Sequence, residues 1–364
     1  MKRAITLAAG LLALALCLTA ALAAGGGAGD PLISLSYLEN TFTASADAAI
    51  GSRLDSADAA LQSALQQQLD AAGQAVSPEA QELTLKAGDT ITGTTGLTLV
   101  PLSGDLQLTM TAGTAVDVTD GAEVSGGLLA ARHRYIVAEN AAAVVTVTSP
   151  TAVLACQGSH TLALSSTAPD YFAIARALRD LGLFQGAGTS FGEGFDLHCA
   201  PTRAEGLVMF IRILGEEAEA LSCAYTHPFT DVPTWLDRYV AWACHRGYTN
   251  GVGGGLFGTS QTISAVEYEE FLLRALQYSV AGVHDYTTSL SRAVSCGALS
   301  TGEYQLLQEE PFLRAHVAYL SYYSLDTIIS GSQLTLAQRL ENIGLFTEDQ
   351  LASARTQVNS QRVI

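Results

Sequence analysis

Pro201-Thr202-Arg203-Ala204-Glu205 decides how the C-terminal half of this chain is read. Thr202 and Glu205 form a Ser/Thr-x-x-Glu capping box: the hydroxyl accepts from a free first-turn amide and the glutamate reaches back to the cap's own N–H. Pro201 holds the chain out of helix up to that point. A helix therefore starts at Arg203, with Leu207, Val208, Phe210, Ile211 and Leu214 turned inward. Upstream, residues 170–184 carry Phe172, Ala175, Leu178 and Leu181 on one face and run into Leu181-Gly182-Leu183-Phe184-Gln185-Gly186. The same order recurs at Arg246-Gly247-Tyr248-Thr249-Asn250-Gly251 and at Cys296-Gly297-Ala298-Leu299-Ser300-Thr301-Gly302. The middle unit pairs residues 235–246 with 265–278, and the last pairs 287–296 with 312–325. A closing helix spans Thr335-Leu336-Ala337-Gln338-Arg339-Leu340. Helix–loop–helix units of this size cannot bury an apolar face alone, so the copies must pack on one another.

The copies are unequal. The second, Ile263-Ser264-Ala265-Val266-Glu267, keeps the capping box and has alanine in place of arginine; the third, Phe312-Leu313-Arg314-Ala315-His316, keeps the arginine and loses both capping residues. At the first helical position Arg203 stands beside unpaired N–H groups and the positive end of the helix dipole, which is misplaced for stability and suits an anion docked on both. The plain reading is a capped helix with a solvated arginine. Ahead of the middle unit stands Phe229-Thr230-Asp231-Val232-Pro233-Thr234-Trp235, with Asp231 as a cap near the helix start and Pro233 at an early helical position.

In this order of elements, over about residues 170–345, the chain resembles the S-layer homology (SLH) family, whose repeats run from Phe-x-Asp-Val-x-x-x-Trp through a Gly-rich turn to Ile-Thr-Arg-Ala-Glu. The resemblance implies a three-pronged pseudo-trimer of helices. Its grooves hold pyruvylated cell-wall polysaccharide and anchor the protein non-covalently to a Gram-positive (clostridial-type) wall. Carried over, contact with the ketal carboxylate falls on Arg203 and Arg314, with Thr202, Glu205 and Trp235 completing the ligand set. The first copy departs from the pattern, with Ala168-Pro169-Asp170-Tyr171 in place of the opening, and the second lacks its arginine. The expected order is a dominant site at an exposed Arg203, a weak one at Arg314 and none at Ala265.

Residues 1–23 read as a signal peptide: Lys2 and Arg3, an apolar run, then Ala21-Leu22-Ala23. The run is short for a membrane span, so the mature chain is expected to be secreted to the cell wall or surface with no integral span. Residues 24–43 are a spacer. Bulky Leu16 before Cys17 argues against lipidation. The formal charge of −17 grows more negative once Lys2 and Arg3 are gone and disfavours nucleic acid as a partner. Lys86 is then the one remaining lysine; arginine, whose planar fork suits carboxylates, supplies the other basic groups. Cys156, Cys199, Cys223, Cys244 and Cys296 are odd in number and lack CxxC spacing, so they form no complete disulfide framework, although a single bridge such as Cys199–Cys223 stays open.

Residues 44–81 are Ala/Gln-rich with Ile50, Leu54, Ala57, Leu61, Leu65 and Leu69 at helical spacing: an amphipathic helix that packs on the next domain or forms a short coiled coil. Over residues 82–167 the period becomes two, in Leu83-Thr84-Leu85, Leu97-Thr98-Leu99, Leu106-Gln107-Leu108-Thr109 and Val144-Val145-Thr146-Val147-Thr148. Glycine turns punctuate these runs. This is a small all-β barrel or sandwich, with a β-solenoid as the alternative. Its basic cluster Arg132-His133-Arg134-Tyr135 reads as an edge-strand guard or a ligand rim. The fold class is α+β and multidomain: N-terminal helix, β-domain, then helical repeats over 168–364, divided near 168–222, 223–282 and 283–346.

No histidine pair has metal-ligand spacing, and no nucleophile elbow, P-loop or dinucleotide fingerprint occurs. Glu216-Glu217 and Glu309-Glu310 are expected to be solvated. Neither enzyme, metal nor cofactor is implied. Two functions follow: a secreted surface protein held to wall secondary polysaccharide, its β-domain facing an unidentified ligand or protein partner; or a degenerate SLH fold that serves as a protein–protein or assembly module.

Overall fold

The computed structural model describes residues 42–71, 79–279, 286–360 and 362–364. The signal-peptide reading, nearly all of the spacer and Cys17 lie outside them. The chain divides into two compact units, Met1–Gly73 and Gln74–Ile364. In the first, α1 spans Thr43–Ala71; of the expected 44–81, residues 72–78 lie outside the described ones and Gln81 already opens a strand, while Ile50, Leu54 and Leu61 of the apolar stripe are exposed. Among the described residues no helix is long and apolar enough to cross a membrane.

The second unit begins with two antiparallel sheets in sandwich form, without barrel closure or solenoid coils. One is ordered β1-β10-β3-β8-β5-β6, the other β11-β2-β9-β4-β7. The strands are β1 Gln81–Lys86, β2 Thr90–Thr94, β3 Thr98–Ser103, β4 Leu106–Ala112, β5 Ala115–Asp117, β6 Ala122–Val124, β7 Gly126–Leu128, β8 Tyr135–Val137, β9 Ala142–Val147, β10 Thr151–Gln157 and β11 His160–Ala163. Alternation sets the inner face: Leu106 and Leu108 from β4, Ala143, Val145 and Val147 from β9, and Leu99 from β3 share one core. β10 escapes the alternating pattern because both its faces are covered. Leu154 and Cys156 point into the sandwich, whereas Val153 belongs to the core of the helical half. A strand buried on both sides reads as a continuous apolar run. Polar bonds hold the same seam: Arg176 donates to Thr84 Oγ1 at 2.9 Å and the Gly192 amide to Glu82 Oε1 at 2.8 Å. Lys86 is structural, its ammonium 2.8 Å from Asp89, a carboxylate that also accepts from the Ser165 amide at 2.7 Å.

The helices are α2 Tyr171–Asp180, α3 Arg203–Ile213, α4 Glu217–Ser222, α5 Asp237–His245, α6 Ala265–Ala275, α7 Ser289–Ser295, α8 Thr301–Glu309, α9 Arg314–Ser324, α10 Leu336–Asn342 and α11 Glu348–Gln357. Each expected first helix ends alike. Gly182, Gly247 and Gly297 have φ of 75°, 72° and 78°. The residue after each glycine returns its amide to a carbonyl five positions back: Leu183 to Leu178, Tyr248 to Ala243, Ala298 to Ala293. This is the left-handed C-terminal cap that glycine adopts without Cβ strain. Gly344, φ 77°, closes α10 in the same way, Leu345 donating to Leu340. The second helices α3, α6 and α9 contact one another pairwise around Phe210, Phe271, Tyr268 and Tyr319.

Several sequence expectations are corrected here. Glu216 is not solvated: it is 6% exposed and accepts from Trp242 Nε1 at 2.9 Å, Arg246 at 3.0 Å, Tyr248 Oη at 3.1 Å and Arg339 at 3.3 Å. Glu217 likewise holds Arg212 and Tyr239. Asp231 does not cap α5. Its carboxylate receives the amides of Phe257, Gly258 and Thr259 at 2.7, 2.8 and 3.1 Å, staking the loop before α6 to the entry of the middle unit. The third Gly-rich turn runs into α8, whose Ser300–Glu303 capping box is the same four-residue signal as Thr202–Glu205. The Arg132–Tyr135 cluster guards no edge, since β8 lies between β3 and β5. The five cysteines of the described residues are free.

The C-terminus straps the third unit. Arg362 forks onto buried Glu303 at 2.7 and 2.8 Å, and the Val363 amide donates to Tyr319 Oη at 2.8 Å. Next to this pair lies Glu269, 1% exposed, whose Oε2 has no hydrogen-bond partner. Burial, then repulsion from Glu303, pushes its carboxyl up to about 8. The folded chain thus holds a proton that the unfolded chain gives up near the ordinary carboxyl value, so this group weakens the fold as pH rises from there to about 8. We predict that Glu269→Gln leaves the melting temperature near pH 5 almost unchanged and raises it at pH 8. Equal melting shifts at both pH values would mean that Glu269 is ionised throughout.

Candidate functional site

The three second helices begin against one another in cyclic order. At α3, Thr202 Oγ1 accepts from the Glu205 amide at 3.2 Å and Glu205 Oε2 from the Thr202 amide at 2.7 Å, completing the expected capping box. At α6 the Ser264 amide and hydroxyl both donate to Glu267 Oε2, at 2.9 and 2.7 Å. At α9 the sequence had suggested that both capping groups were lost, yet His316 replaces half the device: its Nδ1 accepts from the Leu313 amide at 3.1 Å.

In each capping glutamate one oxygen serves its own helix start, and the other faces the arginine of the preceding copy. Arg203 of α3 reaches Glu267 Oε1 of α6 at 2.9 Å, and Arg314 of α9 reaches Glu205 Oε1 of α3 at 3.4 Å. Backbone pairing follows the same circuit. The Arg203 amide donates to Gln261 at 2.7 Å and the Arg314 amide to Cys199 at 2.8 Å, each acceptor lying four residues before the next helix. The third step would run from α6 to α9. There Ala265 replaces the arginine and His316 the glutamate, so both ends of the clasp are missing together.

Arg203 is therefore not the exposed groove residue the sequence suggested. It is 2% exposed, its guanidinium lies 5.3 and 5.6 Å from the ring centres of Phe257 and Phe271, and it donates to Thr249 Oγ1 at 3.4 Å. Arg314 is also buried. Its Nε donates to the Phe195 carbonyl at 3.0 Å, and burial lowers its pKa against the opposing pull of Glu205. Unlike Arg203, it lines a surface groove of 180 Å³ together with Glu205, Arg212, Met209, Trp235 and the backbone near Gly186. Trp235 is 59% exposed and Glu205 half-exposed. The groove thus gathers Glu205 from the first copy, Trp235 from the second and Arg314 from the third. It leaves out Arg203 and does not take in Thr202, whose hydroxyl is occupied by the cap. Arg212 is the member that sequence reading missed: it stands nine residues after Arg203 and pairs with Glu217 at 2.8 Å, and only the fold brings it to the groove.

A groove lined by an exposed tryptophan, a carboxylate and two guanidinium groups is chemically suited to a polar ring compound bearing an acidic substituent. No nucleophile–base pair lines it. A second cluster, Asp117 and Asp120 at the β5–β6 turn with His133 from the loop before β8, could hold a metal ion; local histidine spacing gave no hint of it.

No family model matches the chain, and no curated protein does. Among solved structures it is similar to a recombinant pro-11S globulin of pumpkin, at 8% identity and a TM-score of 0.15, covering 28% of this chain and 33% of that one. It is also similar to the coconut allergen cocosin, at 12% identity and a TM-score of 0.11, covering 29% and 35%. The chain spans about a third of the length of each, and similarity at this level carries no argument about fold or function.

Burial makes Arg203 part of the scaffold. We predict that Arg203→Ala costs about 2–3 kcal/mol, below the usual figure for a buried pair because Glu267 keeps some contact with water. In a double-mutant cycle with Glu267→Gln the losses should be non-additive. Additive losses, or an unchanged melt of Arg203→Ala, would remove the clasp.

Proposed function

We propose that this chain is a secreted surface protein that binds an acidic cell-wall polysaccharide through SLH-like repeats, with the pseudo-trimer formed by α3, α6 and α9. The observation that supports this reading is the Trp235–Glu205–Arg314 groove, to which each copy contributes one residue. An exposed indole beside polar groups stacks on the apolar face of a sugar ring, and a charge-assisted contact from an arginine adds roughly 1.5–3 kcal/mol when the substituent is a carboxylate. The charge of −17 repels an anionic polymer on average, so binding relies on these local guanidinium groups and weakens with salt. In this reading one site operates, centred on Arg314 and Trp235, while Arg203 shapes the neighbouring repeat interface.

A second reading has its own observation. Arg203 and Arg314 are both spent on intramolecular partners, which is what a repeat kept for packing would do. The chain would then be an assembly module without glycan affinity.

Trp235 separates the two, because it is exposed and its loss should not disturb folding. We predict that Trp235→Ala melts like the parent chain but binds purified wall sacculi roughly tenfold more weakly, the worth of one aromatic stacking contact. Removing the secondary polymer from the sacculi should abolish binding by both proteins. If the parent chain fails to bind intact sacculi, the glycan reading falls; concentration-dependent self-association in sedimentation velocity would then favour the assembly module.

A further inference from the structure

We propose that the β-domain carries a site for a first-row divalent cation, with Zn²⁺ as the principal candidate, formed by Asp117, Asp120 and His133. The proposal is independent of the glycan reading. Asp117 ends β5, and its carboxylate is buried, the residue being 5% exposed. Its Oδ1 accepts from the amides of Thr119 and Asp120 at 2.9 and 3.3 Å, so the turn that carries the second carboxylate is folded around the first. Its Oδ2 lies 2.8 Å from His133 Nδ1, and Asp120 Oδ2 lies 3.7 Å from that same nitrogen. The three donor atoms fall within 4.8 Å of one another. An ion about 2.0–2.2 Å from each donor needs them about 3–3.5 Å apart, so the two separations from His133 are already close to what it requires and rotation of the exposed Asp120 side chain closes the rest.

The cluster is held from outside as well. The Val118 amide donates to the Arg134 carbonyl at 2.8 Å, and the Arg134 amide to Thr119 Oγ1 at 2.9 Å. These two bonds fix the histidine-bearing segment against the carboxylate-bearing turn. Arg132 sits in the left-handed region at φ 66° immediately before the histidine. The ring of His133 stacks over Tyr135, centroids 6.4 Å apart, and Tyr135 Oη is itself anchored by the Ala130 amide at 2.8 Å. Donor atoms set on restrained backbone, with the partner oxygen of Asp117 already hydrogen-bonded, are the support that metal ligands require. Arg132 and Arg134 are exposed, and among the described residues neither forms an ion pair with the two aspartates.

The donor set selects the ion class. Two carboxylates and one imidazole, without thiolate, suit Zn²⁺ or Mn²⁺ rather than a soft ion. On binding, His133 Nδ1 gives its proton to solvent and turns its lone pair from Asp117 to the metal, while Asp117 Oδ2 exchanges a hydrogen-bond donor for the cation. Two negative charges and a neutral ring then face one dication, with water filling the open positions. Asp120 is the informative ligand. It is exposed and stands beyond hydrogen-bonding distance of His133, so a structural Asp117–His133 pair does not need it.

The test titrates Zn²⁺ into the reduced, chelator-stripped full chain by calorimetry, with Co²⁺ absorption as a second readout. We expect one site with dissociation well below the millimolar range, and a Co²⁺ spectrum free of thiolate charge transfer. Asp120→Asn should weaken binding roughly 10–100-fold with an unchanged melt of the metal-free protein. His133→Gln should weaken it at least as much. No saturable binding up to about 1 mM, or binding that Asp120→Asn leaves intact, would overturn the proposal and leave Asp117–His133 as a structural pair. A thiolate band that survives both substitutions would place the ion on the cysteines and overturn it equally.

Discussion

The clasp between consecutive helix starts governs the helical half of this protein. A capping glutamate has two oxygens; one is used up at its own N-terminus, and the other must find a donor or face solvent. In this chain the donor is the arginine at the first helical position of the preceding copy. Arg203 and Glu267, and again Arg314 and Glu205, thereby couple a local signal to a long-range contact. An arginine beside the positive end of its own helix is unfavourable taken alone. Directed at the neighbouring glutamate and laid over Phe257 and Phe271, it gains more from the pair and the rings than it loses to the dipole. Removing either end of such a buried contact leaves the other uncompensated, and the step lacking a clasp lacks both ends, Ala265 and His316, which is the arrangement with no stranded charge.

That reasoning shows where sequence was legible. Capping at Thr202 and Ser264, the glycine turns at 182, 247 and 297, and the alternation in β3, β4 and β9 are local rules, and each appears in the structure. The helices of the middle and last pairs fall within the ranges that apolar spacing gave them. What sequence missed depends on contacts between distant segments. β10 hid its strand character because Val153 faces helices while Leu154 faces the sandwich. Glu216 looked solvated since nothing nearby in sequence shows that Trp242, Tyr248, Arg246 and Arg339 converge on it. α8 was the avoidable omission, as Ser300 and Glu303 repeat the signal already recognised at Thr202 and Glu205.

The candidate site divides along the same line. The order of motifs named Glu205, Arg314 and Trp235 but set the main site at Arg203 and a separate, weaker one at Arg314; the structure places those three along one groove. Burial is a property of the neighbours, and it moved Arg203 from the site to the scaffold. Arg212 and the Asp117–Asp120–His133 cluster carried no motif at all. The latter joins two segments through adjacent strands β5 and β8, a register that strand composition does not specify.

Under the proposed function, stability and recognition would compete for the same groups. A guanidinium fully engaged with carbonyl, carboxylate and ring has few donors left for a ligand, and Arg314 already uses Nε on the Phe195 carbonyl, one terminal nitrogen on Glu205 and the other on the Gln185 carbonyl. A ligand carboxylate entering the groove would have to displace the 3.4 Å contact with Glu205, the longest and hence weakest of the clasp bonds. The corresponding contact at Arg203 is 2.9 Å and is sealed by two phenylalanine rings. In the proposed glycan reading the copy with the better-made clasp would be the poorer binding site, and the copy whose cap relies on a histidine would keep its arginine closer to exchange. If the glycan proposal holds, degeneracy among the repeats would give one junction to cohesion and one to recognition, and leave the third to packing alone.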